Sequence, residues 1–146
     1  MEVSTIGFTN KSAEQFFSLL RKAGVRTLLD VRLNNTSQLA GFSKKEDLRF
    51  FLSELLDARY VELGDLAPEK DMLKRYQAKE LAWDSYASSY LELLAKRNVE
   101  SNLDLALFDR ACLLCSEHKP HYCHRRLAAE YLNSRWGNKL TITHLF

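Results

Sequence analysis

The chain has 146 residues, 46% hydrophobic and 27% charged, a size and balance that fit one globular domain with its own core. Its formal net charge of +2 falls well short of what a protein carries when it binds by coating phosphates, and no apolar run reaches the ~18 residues of a membrane span. Five glycines and two prolines, with no Ser/Gly-rich or Pro-rich tract, leave no candidate linker, so a single domain over residues 1–146 is expected.

Val3 to Phe8 is short, apolar and β-branched and runs into Gly7-Phe8-Thr9-Asn10, the pattern of a strand leaving its sheet through a turn. Ser12-Ala-Glu-Gln15 has the form of a capping box. Phe16, Phe17, Leu19, Leu20 and Ala23 then recur at helical spacing, and Gly24 is a natural stop. Val25 to Val31 is a nearly continuous apolar run ending in Asp30-Val31-Arg32, as in a strand buried on both faces. Residues 33–42 carry the turn formers Asn34, Asn35, Thr36, Ser37 and Gly41 without a period, which predicts a long loop of the kind that often carries function. Ser43-Lys-Lys-Glu46 reads as a second capping box, ahead of a helix whose apolar set is Leu48, Phe51, Leu52, Leu55 and Leu56.

Arg59 to Leu63 makes a third short strand, and Pro68 opens another helical stretch. Trp83, Tyr86, Ala87, Tyr90, Leu91 and Leu94 mark a longer helix reaching about Arg97, its aromatic stripe read as core. Leu103 to Phe108 is ambiguous between a helix end and a strand. Arg110 to Cys115 is a fourth strand, Cys123 to Arg135 a helix and Leu140 to Leu145 a final strand. The alternation predicts an α/β, single-domain fold: a mostly parallel sheet of about five strands with helices on both faces, Rossmann-like and three-layered. Ligands of such sheets bind beyond the carboxyl ends of the strands. The polar residues fall there: Gly7 and Asn10, Asp30 and Arg32, Glu62 and Gly64, Cys115 and Glu117.

The densest chemistry lies in the window from Cys112 to Arg126, which holds three thiols, a carboxylate, three imidazoles and two guanidiniums between a strand and a helix. Strand periodicity sends Cys112 and Cys115 to opposite faces. The zinc-like set Cys112, Cys115, Cys123 and His124 therefore lacks a common side, no metal or other cofactor is expected, and Cys112 reads as a small buried hydrophobe. Cys115 ends its strand beside the next helix N-terminus, where a thiol gains thiolate character, although a buried thiol capping the sheet is the plainer alternative. Cys123 and His124 continue the buried stripe of Leu127, Ala128, Tyr131 and Leu132 and so face the sheet. Arg125 and Arg126 occupy a first helical turn, where the helix dipole disfavours a cation, so something anionic should offset them: Glu117, Asp30 or a bound anion. Arg126 can instead reach Glu130 one turn on. His118 and His121 sit in the connecting loop.

Thr5-Ile6-Gly7, Asp30-Val31-Arg32, Gly41-Phe42-Ser43, Leu63-Gly64, Leu114-Cys115-Ser116-Glu117 and Cys123-His124-Arg125 follow one another along essentially the whole chain. Together they resemble the bacterial and archaeal family known as domain of unknown function 488. The Leu-Cys-x-Glu and Cys-His-Arg pair is the specific part, since Asp-Val-Arg alone also occurs in rhodanese-like domains. The resemblance implies a compact α/β domain of enzymatic character and names no reaction.

The expected function is a thiol-dependent transferase or hydrolase. In it Cys115 or Cys123 supplies the thiolate, Glu117 and His124 move protons, and Gly7, Asn10, Asp30, Arg32 and Arg125 bind an anionic, nucleotide-like or phosphorylated substrate. Two alternatives stand beside it: a non-catalytic module for nucleotides or nucleic acid, and a redox switch between Cys115 and Cys123. Met1-Glu-Val-Ser-Thr5 lacks the basic and apolar regions of a signal peptide, and an odd count of three cysteines makes no disulfide framework. A cytoplasmic protein with no membrane partner is expected; the pattern leaves oligomeric state open.

Overall fold

The computed structural model describes residues 1–34, 41–117 and 120–146. The five expected strands are present as β1 (Glu2–Gly7), β2 (Thr27–Asp30), β3 (Arg59–Glu62), β4 (Ala111–Cys115) and β5 (Thr141–Leu145). They form one sheet in the order β3-β2-β4-β1-β5, and every pairing is parallel. Parallel sheets are covered on both faces, which is why the apolar runs behind β2 and β4 are continuous: every residue of these two strands is buried.

Helix α1 (Ala13–Lys22) links β1 to β2, and α2 (Lys45–Leu56) links β2 to β3. Phe16, Phe17, Leu20, Leu48 and Leu52 from these helices pack with Ile6, Leu28 and Leu114 on one face of the sheet. The opposite face carries Val3, Leu29, Leu113 and Cys115, packed against α4 (Trp83–Arg97) and α6 (His124–Arg135). Between β3 and β4 the chain also forms α3 (Lys70–Gln77) and the short α5 (Val99–Asn102), and Leu105–Phe108 is a 3-10 turn. Tyr86 and Tyr90 of the aromatic stripe are buried in that second core. No helix among the described residues is long and apolar enough to cross a membrane.

Helix α1 starts with the expected capping box: Gln15 N donates to Ser12 Oγ at 3.1 Å and Ser12 N donates to Gln15 Oε1 at 2.8 Å. The second box does not form. The chain is still in a 3-10 turn through Ser43, so the N-cap of α2 falls on Lys44 with no side-chain cap, one residue later than the box requires. Glu46 and Asp47 still place negative charge in the first turn of α2, where the helix dipole favours it. Of the expected loop over residues 33–42, positions 35–40 lie outside the described residues.

The chain leaves β4 for the opposite face from both of its neighbours: β4 runs toward α6, whereas β2 runs toward α2 and β1 toward α1 on the same face as α2. Ligands of open parallel sheets bind beyond the carboxyl ends of such strands. The exit of β4 is where Cys115 lies.

Candidate functional site

Along β4 the side chains alternate, so Cys112 packs with Phe16 and Leu28 while Cys115 turns to the α6 face. Burial pushes the Cys112 thiol up to about 12, which leaves it protonated and inert at neutral pH. Cys123 is the N-cap residue of α6, in extended conformation, and its sulfur meets that of Cys115; the structure joins the two as a disulfide. Neither sulfur is exposed to solvent, with Cys115 at 1% and Cys123 at 2% accessibility.

Arg125, in the first turn of α6, is fully buried. Its Nη1 donates to Cys115 Sγ at 3.3 Å and also to the main-chain carbonyl of Glu117, and its Nε donates to Thr5 Oγ1 at 3.1 Å. Burial pulls this guanidinium down to about 10, still charged at neutral pH. Gly7 makes room for it. A Cβ at that position would overlap the Glu117 carbonyl and come within 2.6 Å of Arg125 Nη1, so no larger residue fits without moving main chain. Lys11, beyond the exit of β1, is held below its usual value by partial burial and by Arg125.

His124 precedes Arg125 and faces the exit of β2, where its Nε2 lies 2.8 Å from the Val31 carbonyl oxygen. A carbonyl only accepts, so Nε2 carries the proton and Nδ1 of the neutral ring is left as an acceptor. Burial lowers the imidazole to about 4, and it is neutral at physiological pH. The ring stands edge-on to Tyr90 with centroids 5.5 Å apart.

Asp30 and Arg32 are engaged with each other. Arg32 Nε donates to Asp30 Oδ1 and Nη2 to Oδ2, both at 2.9 Å, while the Arg32 main-chain N–H donates to Oδ1 at 3.0 Å. The Tyr60 hydroxyl donates to Oδ2 from β3, and its own pKa is raised by burial and by that bond. The Arg32 guanidinium lies over the Phe8 ring, 5.5 Å from its centroid. Bidentate pairing and stacking both exploit the planar fork.

Of the other expected residues, Asn10 is exposed in a left-handed turn at φ 60. Glu117 is exposed, and its main-chain carbonyl accepts from Arg125. The negative charge of Glu117 also acts on Arg125, raising its pKa against the effect of burial, while Asp30 pairs with Arg32. Arg126 pairs with Glu130 at 3.8 Å. His121 is exposed and His118 lies outside the described residues. Among the described residues no three His, Cys, Asp or Glu side chains are grouped as a metal would require.

Three participants were not singled out from the sequence. Tyr60 reaches Asp30 because β3 pairs with β2 in the register Asp30↔Glu62, with Tyr60 one pleat back on the same side. Thr5 and His144 are register partners across β1 and β5, and their side chains meet at 2.6 Å between Oγ1 and Nδ1. Strand alternation puts Ile142 and His144 on one face of β5, but only the pairing shows what lies beside them.

A family model described as domain of unknown function DUF488 matches residues 12–132. No curated protein and no solved structure matches the chain.

Proposed function

The chain belongs to the family described as domain of unknown function DUF488, whose description names no reaction, and we propose from the site's own chemistry that it is a thiol-dependent enzyme acting on an anionic substrate. The observation that carries this reading is the buried Arg125 guanidinium, 3.3 Å from the Cys115 sulfur. A cation at that distance favours thiolate over thiol, and the N-terminus of α6 adds the positive end of its dipole. In the reduced protein the Cys115 thiolate attacks an electrophilic centre of the substrate. The S–substrate bond forms as the bond to the leaving group breaks, and the leaving group departs with the electron pair. Water or an acceptor then takes the group from sulfur, regenerating the thiolate and making the reaction a hydrolysis or a transfer.

Glu117, exposed at the exit of β4, is the carboxylate we assign to proton transfer with the leaving group. His124 is neutral and orients the α6 turn through the Val31 carbonyl. The surroundings are electropositive: Lys11 and His144 are both held below their usual values, in each case by burial first and by Arg125 second. Such a field supports a negatively charged substrate.

The Cys115–Cys123 bond favours a second reading, in which the two thiols form a redox switch. Oxidation by hydrogen peroxide converts two thiols and one peroxide into one disulfide and two waters, and an external dithiol reverses it. In that state the nucleophile is masked.

The test is the pH dependence of Cys115 alkylation by iodoacetamide in the reduced protein, followed by peptide mapping. The midpoint reads acidity independently of access. A midpoint below the free-thiol value of about 8.5 is expected, and one at or above that value overturns the reading. For the switch, mild peroxide should remove the Cys115 and Cys123 thiols together and dithiothreitol restore them; an unchanged thiol count dismisses it.

A further inference from the structure

Arg125 is itself held in place. Its Nε donates to Thr5 Oγ1 at 3.1 Å, and the same oxygen lies 2.6 Å from His144 Nδ1. Thr5 is fully buried in β1, whereas His144 is partly exposed on β5, a strand at the edge of the sheet. Both side chains lie on the face that α6 covers. A continuous path therefore runs from the Cys115 sulfur through Arg125 and Thr5 to an imidazole at the sheet margin.

The donor count along this path decides its direction. A guanidinium only donates, so Thr5 Oγ1 accepts from Arg125 and has one proton of its own to place. With His144 Nδ1 as acceptor, that proton is satisfied and the ring is the Nε2–H tautomer. With Nδ1–H as donor, two hydrogens would converge on one buried oxygen and the Thr5 proton would have to find a third partner inside the sheet, at the cost of a buried unsatisfied group.

We propose that His144 is a positioning residue of the Cys115 site: as a neutral Nε2–H imidazole it accepts the Thr5 hydroxyl, which orients Arg125 and thereby sets the acidity of Cys115. The inference rests on the reading of Cys115 as the reactive thiol. The ionisable groups that face His144 are Arg125 and Arg126 from α6 and His121 from the loop before it, and together with burial they keep the imidazole below its usual pKa. Protonation would set a further cation against Arg125 and turn the Nδ1 acceptor into a donor. His144 touches no reacting atom, so its effect is on how Cys115 titrates.

Two measurements test this. Nitrogen chemical shifts of the unmodified protein at neutral pH should show His144 with Nδ1 unprotonated, and a protonated Nδ1 overturns the assignment. The second is titration of Cys115 by ultraviolet thiolate absorbance in reduced protein carrying Cys123→Ser. His144→Phe and Thr5→Val should each raise the midpoint by roughly one pH unit, a tenfold loss of acidity. His144→Asn, whose Oδ1 takes the place of Nδ1, should bring it back toward the parent. If His144→Phe leaves a low parental midpoint unchanged, the positioning role is overturned and the reactive thiol stands. If the parent itself titrates like a free thiol, the reading of Cys115 is overturned first and this inference with it.

Discussion

Two buried arginines stand at neighbouring strand exits and are used in opposite ways. Arg32, 6% exposed, gives Nε and Nη2 to the two oxygens of one carboxylate, and Tyr60 closes the remaining side of Asp30. Arg125, fully buried, spreads its donors over a hydroxyl, a main-chain carbonyl and the Cys115 sulfur. In the first case charge meets charge and the geometry is closed, which makes a lock for the chain leaving β2. In the second the guanidinium is directed at an atom that ionises. The same residue type at the same edge of the sheet is thus closed on a carboxylate on the α1/α2 side and directed at a thiol sulfur on the α6 side. His124 ties the two together, since it neighbours Arg125 and donates to the carbonyl of Val31, between Asp30 and Arg32.

The contrast can be broken by substitution. Asp30→Ala strands Arg32 in a buried site and should cost about 3–5 kcal/mol in urea unfolding while leaving the Cys115 midpoint unchanged. A loss under about 1 kcal/mol would reduce the pair to the worth of a surface ion pair. His124 comes next. Its folded pKa of about 4 lies below the unfolded value of 6.5, so the stability it contributes is fully present above the unfolded pKa and is lost as pH falls through it toward 4. The effect reaches up to about 3 kcal/mol. Replacing His124 with Gln should flatten the wild-type decline in stability over this range, and parallel pH profiles for the two proteins would contradict the assignment. Gly7→Ala should cost about 1–3 kcal/mol because the new methyl meets main chain at Glu117, and it should also raise the Cys115 midpoint by displacing that carbonyl from Arg125. Arg126→Ala is the smallest. Its contact with Glu130 is 3.8 Å long and both side chains are solvent-accessible, so a change within about 0.5 kcal/mol is expected, with the thiol titration untouched.

The fold was legible because burial on both faces of a parallel sheet writes itself as continuous apolar runs, as at Val25 to Val31 and Ala111 to Cys115. The capping box at Ser12 was legible for a local reason too, since its two hydrogen bonds span three residues. The box at Ser43 looked equivalent and failed because the preceding 3-10 turn over Gly41–Ser43 shifted the cap by one residue. At the candidate site, density of functional groups located the window around Cys115 and Cys123, and strand alternation separated Cys112 from it. Which partner each guanidinium takes was not readable. Arg125 could be matched to carboxylates by charge, but Thr5 is 120 residues away in sequence and His144 is 139 residues from Thr5. Only the order β4-β1-β5 brings them together.

The most direct measurement is the ultraviolet thiolate titration of reduced protein carrying Cys123→Ser. Cys112, pushed up to about 12 by burial, does not ionise in the relevant range, so the signal belongs to Cys115. One thiol ionising clearly below about 8.5, with the midpoint unmoved by Asp30→Ala, is the predicted result. A thiol that ionises only at or above that value would contradict the claim that Arg125 poises Cys115 for chemistry.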